Sequence, residues 1–281
     1  MKRKNCFSKI EVCIKGGGDV ASGVAWRLYQ CGFRILITEI QKPLAVRRKV
    51  SFCEAVYEGH MVVEGVEAVL IRDAEDVYSA WEKNKVPVIV DPTCESRHFV
   101  KPDVLVDGIL AKKNTGISMK DAPVTVALGP GFVAGKDVHF VVETNRGHNL
   151  GRLLTSGSAQ PDTGVPGPVK GITTDRVLRA PVEGMWESTL QIGTPVKRGD
   201  VMGSVSGLEV KAMIDGVLRG LIRPGIHVSK GLKIGDIDPR GIREHCNSIS
   251  EKALAVSGGV LEAIMRSYDI EKAKKVPNPF H

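Results

Sequence analysis

The residues best suited to chemistry lie near the start of the chain, where Gly16, Gly18 and Ala21 form the pattern G-x-G-x-x-A. In this pattern the first glycine makes a tight turn, the second lets backbone N–H groups approach a pyrophosphate, and the third position keeps a helix close to a strand. Glu39 follows at the spacing at which an acid accepts hydrogen bonds from ribose hydroxyls. The pattern therefore predicts a dinucleotide-type site. Alternatively, the glycines only pack the helix against the sheet.

The elements that must position these residues can be recognised from the spacing of apolar residues. Ile10, Val12 and Ile14 alternate as in a strand, residues 20–29 have helical spacing, and residues 35–37 form a second apolar run. Strand, glycine turn, helix and strand within about 30 residues form a βαβ unit. The unit predicts a Rossmann-like α/β domain.

Further polar residues follow later strand patterns of the same region. Residues 87–91 and 103–108 are two such patterns, which contain Asp91 and Asp107 near their ends. Ligands of open α/β sheets bind beyond the carboxyl ends of strands, although an Asp there is also common in a turn or helix cap. We therefore predict either a site residue or a turn residue at each position.

Basic residues in loops are candidates for holding an anion. Arg47 and Arg48 lie where a loop could fold over the ligand, and Lys112, Lys113 and Asn114 form a second polar loop. For both loops the alternative is simple exposure to water.

Two weak catalytic candidates complete the set. Arg146 and His148 follow a predicted strand, so that Arg146 could hold a phosphate or carboxylate and His148 could exchange a proton or be a plain loop histidine. Cys94 follows another strand and could be a reactive thiol if its pKa were lowered, or be an unreactive loop cysteine. The predicted cofactor-binding residues are Gly16, Gly17, Gly18, Asp19, Val20, Ala21, Glu39 and Arg146.

The second half of the chain has a different composition. A segment rich in Gly, Pro, Ser and Thr, residues 154–171, reads as a linker, and beyond it glycines and apolar residues recur at an offset of 32 residues. The spacing resembles the biotinyl/lipoyl barrel-sandwich domains. The hairpin at 204–207 lacks the lysine that carries biotin or lipoate in such domains, and Lys211 lies within the next strand pattern, so neither group is expected.

These segments give the predicted organisation. The fold class is an α/β Rossmann-like domain followed by a small all-β barrel-sandwich domain and a C-terminal helix. The predicted parts are a Rossmann-like nucleotide- or cofactor-binding domain at 1–153, the linker at 154–171, the barrel-sandwich domain with its repeat at 172–240 and a C-terminal helical segment at 241–281.

Composition narrows the classes of partner. The net charge of +7 favours anionic ligands, but the basic residues are dispersed and aromatic residues make up only 5%, so no nucleic acid is expected. The six cysteines have no metal-ligand spacing, so no metal site is predicted and reduced thiols in the cytoplasm are expected. No stretch is long and apolar enough for a membrane span. A homo-oligomer is a further possibility.

The order of several segments adds a family resemblance. The glycine turn, AKKN at 111–114, TNRGHNLG at 144–151, VPGPVKGIT at 165–173 and GGVLEAI at 258–264 together resemble the accessory (maturation) proteins of selenium-dependent molybdenum hydroxylases, which are related to xanthine dehydrogenase maturation factors. The resemblance implies a cytoplasmic protein that helps to insert, sulfurate or selenylate a molybdenum cofactor. It implies a hydroxylase or a cofactor-biosynthesis protein as partner.

The leading hypothesis is accordingly a maturation factor that binds a NAD-like dinucleotide or the molybdenum cofactor at the glycine turn. The alternatives are a NAD-dependent oxidoreductase with His148 as proton donor, and a non-catalytic scaffold or docking protein. The sequence does not decide whether the protein is an enzyme.

Overall fold

The computed structural model describes residue 7 and residues 9–268. Residues 269–281 of the predicted C-terminal segment lie outside this part. The described chain contains one large sheet, two smaller sheets and a long final helix. None of its helices is long and apolar enough to cross a membrane.

The large sheet has nine strands in the order β3-β4-β5-β2-β1-β6-β7-β8-β9. Strands β4 to β8 of this order run parallel, whereas the edge strands β3 and β9 are antiparallel to their neighbours. The strands are β1 (Glu11–Lys15), β2 (Arg34–Glu39), β3 (His60–Val63), β4 (Val66–Ile71), β5 (Val86–Val90), β6 (Val104–Asp107), β7 (Val124–Leu128), β8 (Phe140–Val142) and β9 (Leu153–Leu154).

Helices cover both faces of this sheet. They are α1 (Asp19–Gln30), α2 (Ala55–Glu58), α3 (Asp76–Glu82), α4 (Ser96–Val100) and α5 (Glu251–Ser267). Val12 and Ile14 of β1 join a core that includes residues of α1 and α5, while Cys13 between them joins a core on the other side with residues of α3. Burial on both faces explains why the central strands read as continuous apolar runs.

The second part consists of two four-stranded antiparallel sheets around Trp186, Leu218 and other buried apolar residues. Their orders are β10-β17-β15-β12 and β14-β13-β11-β16. The strands are β10 (Val177–Arg179), β11 (Gly184–Glu187), β12 (Pro195–Val196), β13 (Val201–Val205), β14 (Leu208–Lys211), β15 (Gly216–Leu221), β16 (His227–Val228) and β17 (Lys233–Asp238).

The 32-residue repeat is visible in these strands. β11, β12 and β13 begin 32 residues before β15, β16 and β17, respectively. The two halves exchange strands, because β12 of the first half pairs with β15, and β16 of the second half pairs with β11. Each half therefore completes the sheet of the other.

The predicted fold class is wrong. The large sheet is mixed, with antiparallel strands at both edges, and the second part forms two open sheets with free edge strands instead of one small barrel-sandwich. The edge strands β3 and β9 were not predicted because they are short, β9 having only two residues. The final helix packs against α1 in the core of the large sheet. The predicted domain boundaries stay predictions.

The contact between α1 and α5 depends on a glycine. A Cβ atom at Gly23 would lie 2.7 Å from Ala253 Cβ, closer than real Cβ atoms approach. We expect Gly23→Val to lower the free energy of unfolding by about 1–3 kcal/mol through overpacking, measured by urea denaturation. Gly258, a glycine of α5 with open space around its Cβ position, provides the control: Gly258→Ala should be neutral or stabilising by up to about 1 kcal/mol. Equal losses in both variants would contradict the close contact.

Candidate functional site

The turn after β1 is shaped by its first two glycines. Gly16 has a φ of +93°, in the region that favours glycine, and its N–H donates to Thr38 O at 2.8 Å. At Gly17 a Cβ would lie 3.0 Å from Cys53 N. These two positions of the glycine turn (residues 16–18) therefore need glycine for the backbone and for packing.

Gly18 has a different reason to be glycine. It is the N-cap of α1 and has φ −66° and ψ 177°, a conformation open to any residue, and nothing lies within 4 Å of its Cβ position. No side chain caps this helix end. The absent side chain thus leaves an open space in front of backbone N–H groups at a helix N-terminus, where an anion is stabilised.

Glu39 at the end of β2 holds the turn in place. Its Oε2 accepts the Gly17 N–H at 2.8 Å and its Oε1 accepts the Ile40 N–H at 2.7 Å. Burial raises the pKa of Glu39, while the two N–H groups act in the opposite direction. Because each oxygen accepts a backbone N–H, the carboxylate holds the glycine turn and the residue after β2 in place; its predicted contact with a ribose stays a prediction. The description of the chain as a Rossmann nucleotide-binding protein with a barrel-sandwich domain is wrong, because the large sheet is mixed and the second part forms two separate antiparallel sheets.

A second helix N-terminus lies beside the first. Gly23 faces Ala253, and four residues further along each helix the Arg27 Nε donates to Ser257 Oγ at 2.7 Å. The helices α1 and α5 therefore run in the same direction, with their N-termini at the same end. Each N-terminus carries partial positive charge, so their fields add at this place.

Arg47 is buried next to the glycine turn. It is 7% exposed, and its Nη2 donates to His245 O at 2.8 Å and to Ser248 O at 2.9 Å. Its Nη1 lies 3.8 Å from Asp19 Oδ2, and both Nη1 and Nε have no hydrogen-bond partner. Arg48, predicted together with it, points away and donates to Leu221 O.

Two more cations come from elements that are distant in sequence. Lys252, in the first turn of α5, forms no hydrogen bond or ion pair within the described part of the chain. Burial lowers its pKa, Asp19 raises it, and Arg146 and Lys233 lower it. Arg146, a predicted site residue, pairs through Nη1 with Glu251 in the same helix turn.

Lys15 and Asp107 lie side by side at the ends of β1 and β6, where they are register partners. Lys15 Nζ donates to Thr115 O at 2.8 Å, and Thr115 Oγ1 donates to Asp107. Burial raises the pKa of Asp107, whereas Thr115, the Ile109 N–H and Lys15 lower it. Asp107 thus anchors the loop that follows β6.

The other residues of that loop are also held by the protein. Lys112 forms an ion pair with Asp162, and Asn114 Oδ1 accepts the N–H groups of Gly116 and Ile117. These contacts account for the loop without a ligand.

The two predicted catalytic candidates do not join this site. His148 is exposed on the loop after β8. Cys94 is 1% exposed and lies on the other face of the sheet, with its Sγ 3.5 Å from Cys13 Sγ. The hydrogen bond with Cys13 lowers the pKa of Cys94, while burial raises it. Asp91, just before it, accepts the N–H groups of Glu95 and Ser96 and is a cap residue.

The structure therefore collects residues 16–19, Arg146, Arg47 and Lys252 at the shared helix N-termini. The sequence does not predict Lys252 as a site residue, because nothing in the pattern of α5 relates its first turn to a glycine turn more than 230 residues earlier. That the predicted residues contact a cofactor stays a prediction.

Comparison with known proteins gives one substantial relative. No protein-family model matches the chain. The uncharacterized protein YqeB of Escherichia coli is 50% identical over 254 residues, which is 90% of this chain and 47% of that protein. The chain thus spans about half the length of this curated relative.

Two solved structures show weak similarity. A succinylglutamate desuccinylase/aspartoacylase from Rhodobacter sphaeroides is 13% identical with a TM-score of 0.24, over 80% of this chain and 86% of that chain. The tRNA N6-threonylcarbamoyladenosine dehydratase TcdA of E. coli is 13% identical with a TM-score of 0.31, over 93% and 89% of the two chains. Similarity this weak assigns neither protein's reaction to this chain.

Removal of the Glu39 carboxylate tests its part in the turn. We expect Glu39→Ala to lower the free energy of unfolding by about 1–3 kcal/mol, because the Gly17 N–H is left without an acceptor. Since the folded pKa of Glu39 is raised, the carboxyl contributes more stability below its unfolded pKa of about 4.3 and less as pH rises through the folded value. The gap between wild type and variant, measured by urea denaturation, should therefore narrow from pH 4 to pH 7. Glu67→Ala, which removes the partner of Lys85 in a part-buried ion pair, is the matched control. A gap that widens with pH would contradict this account.

Proposed function

We propose that this chain is an accessory protein in the maturation of a molybdenum hydroxylase and binds the phosphate end of an anionic cofactor at the glycine turn. The observation that carries the binding part is the open space at Gly18, faced by the N-termini of two parallel helices. The maturation role rests on the resemblance of the sequence.

Phosphate fits this space for electrostatic and geometric reasons. Backbone N–H groups at a helix start bind a tetrahedral oxyanion without a side chain, which explains why a residue free to carry one is glycine. Arg47 offers two guanidinium nitrogens without acceptors, Nε and Nη1, and Lys252 offers an ammonium without a hydrogen bond or ion pair within the described residues. Each would make a charge-assisted hydrogen bond to an anion.

The molybdenum cofactor is the ligand that joins both halves of the proposal. Its pterin carries a phosphate group, which suits the glycine turn, and its delivery to a hydroxylase is the task implied by the resemblance. In this role the chain's own residues bind and orient the phosphate end. The partner would be the hydroxylase or a cofactor-biosynthesis protein.

Catalysis at this place receives no support from the described residues. His148 is exposed on its loop and Cys94 lies on the opposite face of the sheet, so neither completes an acid–base pair at the glycine turn. The oxidoreductase and scaffold alternatives stay predictions without an observation in their favour.

Gly18→Val tests the site with little risk to the fold. The backbone angles at Gly18 suit any residue and its surroundings are empty, so the melting temperature should stay within about 2 °C of wild type. The new side chain fills the anion space, and we expect affinity for inorganic phosphate, measured by calorimetry, to fall about tenfold or more. In cells lacking the chain, the variant should fail to restore activity of the molybdenum hydroxylase. Gly258→Ala is the matched control. Unchanged phosphate affinity in Gly18→Val would refute the proposed site, and restored hydroxylase activity would refute its role in maturation.

Lys252→Met should separate stability from binding. A desolvated lysine without an ion pair costs free energy in its charged form, so the variant should melt at a higher temperature at pH 7 and bind inorganic phosphate more weakly. Because the folded pKa of Lys252 is lowered, the wild type regains stability as pH rises from that folded value towards the unfolded pKa of about 10.4. The difference in melting temperature between Lys252→Met and wild type should therefore become smaller as pH rises. Lys230→Met, at an exposed lysine, should change neither property; a destabilised Lys252→Met would show that the ammonium has a structural partner.

A further inference from the structure

A pair of buried arginines lies beside the proposed phosphate site. Arg47 and Arg219 of β15 both donate to the carbonyl oxygen of His245, at 2.8 and 3.4 Å. Arg219 is 6% exposed. We call these two guanidinium groups the arginine pair.

Neither member of the arginine pair is satisfied by its surroundings. Arg47 Nε and Nη1 are buried without hydrogen-bond partners. For Arg219 the nearest carboxylates are Asp236, 3.9 Å from Nη1, and Asp238, 3.8 Å from Nε. Both distances exceed that of a hydrogen bond. The long bond to His245 O is the hydrogen bond of the Arg219 side chain within the described part of the chain.

The nearby acids are occupied by other cations. Asp236 accepts a hydrogen bond from Arg176 and lies 3.5 Å from Lys233 Nζ. Asp238 accepts hydrogen bonds from Arg240 at 2.6 Å from Nη2 and 2.9 Å from Nε. The two carboxylates thus take their hydrogen bonds from other cations; they lie close enough to Arg219 to offset its charge, but they do not accept its N–H groups.

The two guanidinium groups also oppose one another. Burial lowers the pKa of Arg47, and the charge of Arg219 lowers it further. Asp19 and Asp236 act on the pKa of Arg47 in the opposite direction. Like charges with unused N–H groups are costly, and an anion beside them would supply the missing acceptors.

The arginine pair and the glycine turn are neighbours. Arg47 Nη1 lies 3.8 Å from Asp19 in the first turn of α1. The strand β15, which carries Arg219, packs directly against Val46, the residue before Arg47. The Leu221 N–H donates to Val46 O at 2.8 Å, and a Cβ at Gly220 would lie 2.8 Å from Val46 Cγ1. The two positions therefore adjoin one another.

We propose that the arginine pair is a second anion-binding position, so that the ligand carries two anionic groups, one on the glycine turn and one between Arg47 and Arg219. This inference rests on the proposed function. It specifies the ligand class as a diphosphate, or a phosphate joined to a second oxyanion by a short spacer, held across the junction of the large sheet and the antiparallel sheet.

Calorimetry with inorganic phosphate and inorganic pyrophosphate tests the proposal. Wild type should bind pyrophosphate about tenfold tighter than phosphate, as expected for one or two added charged hydrogen bonds. Arg219→Gln should lose this preference and keep its phosphate affinity within about twofold of wild type. Arg179→Gln, at an exposed arginine of β10 that donates to Gly231 O, should keep both affinities.

The outcomes separate this inference from the function on which it rests. If wild type binds neither anion, the phosphate site and the arginine pair are both wrong. If it binds phosphate with no preference for pyrophosphate, or if Arg219→Gln keeps the preference, only the arginine-pair proposal is overturned. Arg219→Lys retains a charge but lacks the planar fork of arginine, so it should weaken the preference for pyrophosphate even where Arg219→Gln does not fold. An undiminished preference in Arg219→Lys would also overturn the proposal.

Discussion

The parallel packing of α1 and α5 is the constraint on which the rest of the site depends. Side-by-side helices that run in the same direction place partial charges of the same sign together at each end, an arrangement that is electrostatically unfavourable in itself. Asp19 and Glu251 in the two first turns offset part of this charge. Arg47 and Arg146, from two further segments, and Lys252 of α5 restore the positive excess. The packing of α1 against α5 therefore holds together a positive region that Asp19 and Glu251 only partly neutralise.

Gly23 allows α1 and α5 to pack closely in spite of this repulsion. Close approach of the two helices requires a position without a side chain, and apolar residues of both helices then join the core above the large sheet. A glycine within a helix costs about 1 kcal/mol relative to alanine, and the burial it permits is worth more. Gly220 has a similar role, because it lets β15 approach the segment that carries Arg47.

The sequence predicts the local features of the site well and its distant partners poorly. The glycine turn and Glu39 belong to one strand–helix–strand unit, so their spacing alone places them together. The 32-residue repeat is likewise local, since each half provides the same succession of strands. Lys252 and Arg219 have no such signature, because their place depends on how α5 and β15 pack.

Of the other sequence expectations, the site roles of Glu39 and Cys94 stay predictions, whereas the fold class is wrong. Glu39 has the spacing of a ribose ligand, but an acid at this place is equally able to accept the N–H of Gly17, and the structure uses it so. Cys94 follows a strand as a site residue would, but the loop turns its thiol towards Cys13 inside the core. The fold class failed because short antiparallel strands at sheet edges leave little trace in an apolar pattern.

The exchange of strands between the two repeats has a mechanical consequence. Because β12 pairs with β15 and β16 pairs with β11, neither half can detach without breaking both sheets, so the pair should open as one cooperative block. Arg219 belongs to this block, whereas the glycine turn belongs to the large sheet. The Leu221–Val46 hydrogen bond already joins this block to the segment that carries Arg47, so a ligand bound at both positions would add a second link between the block and the large sheet.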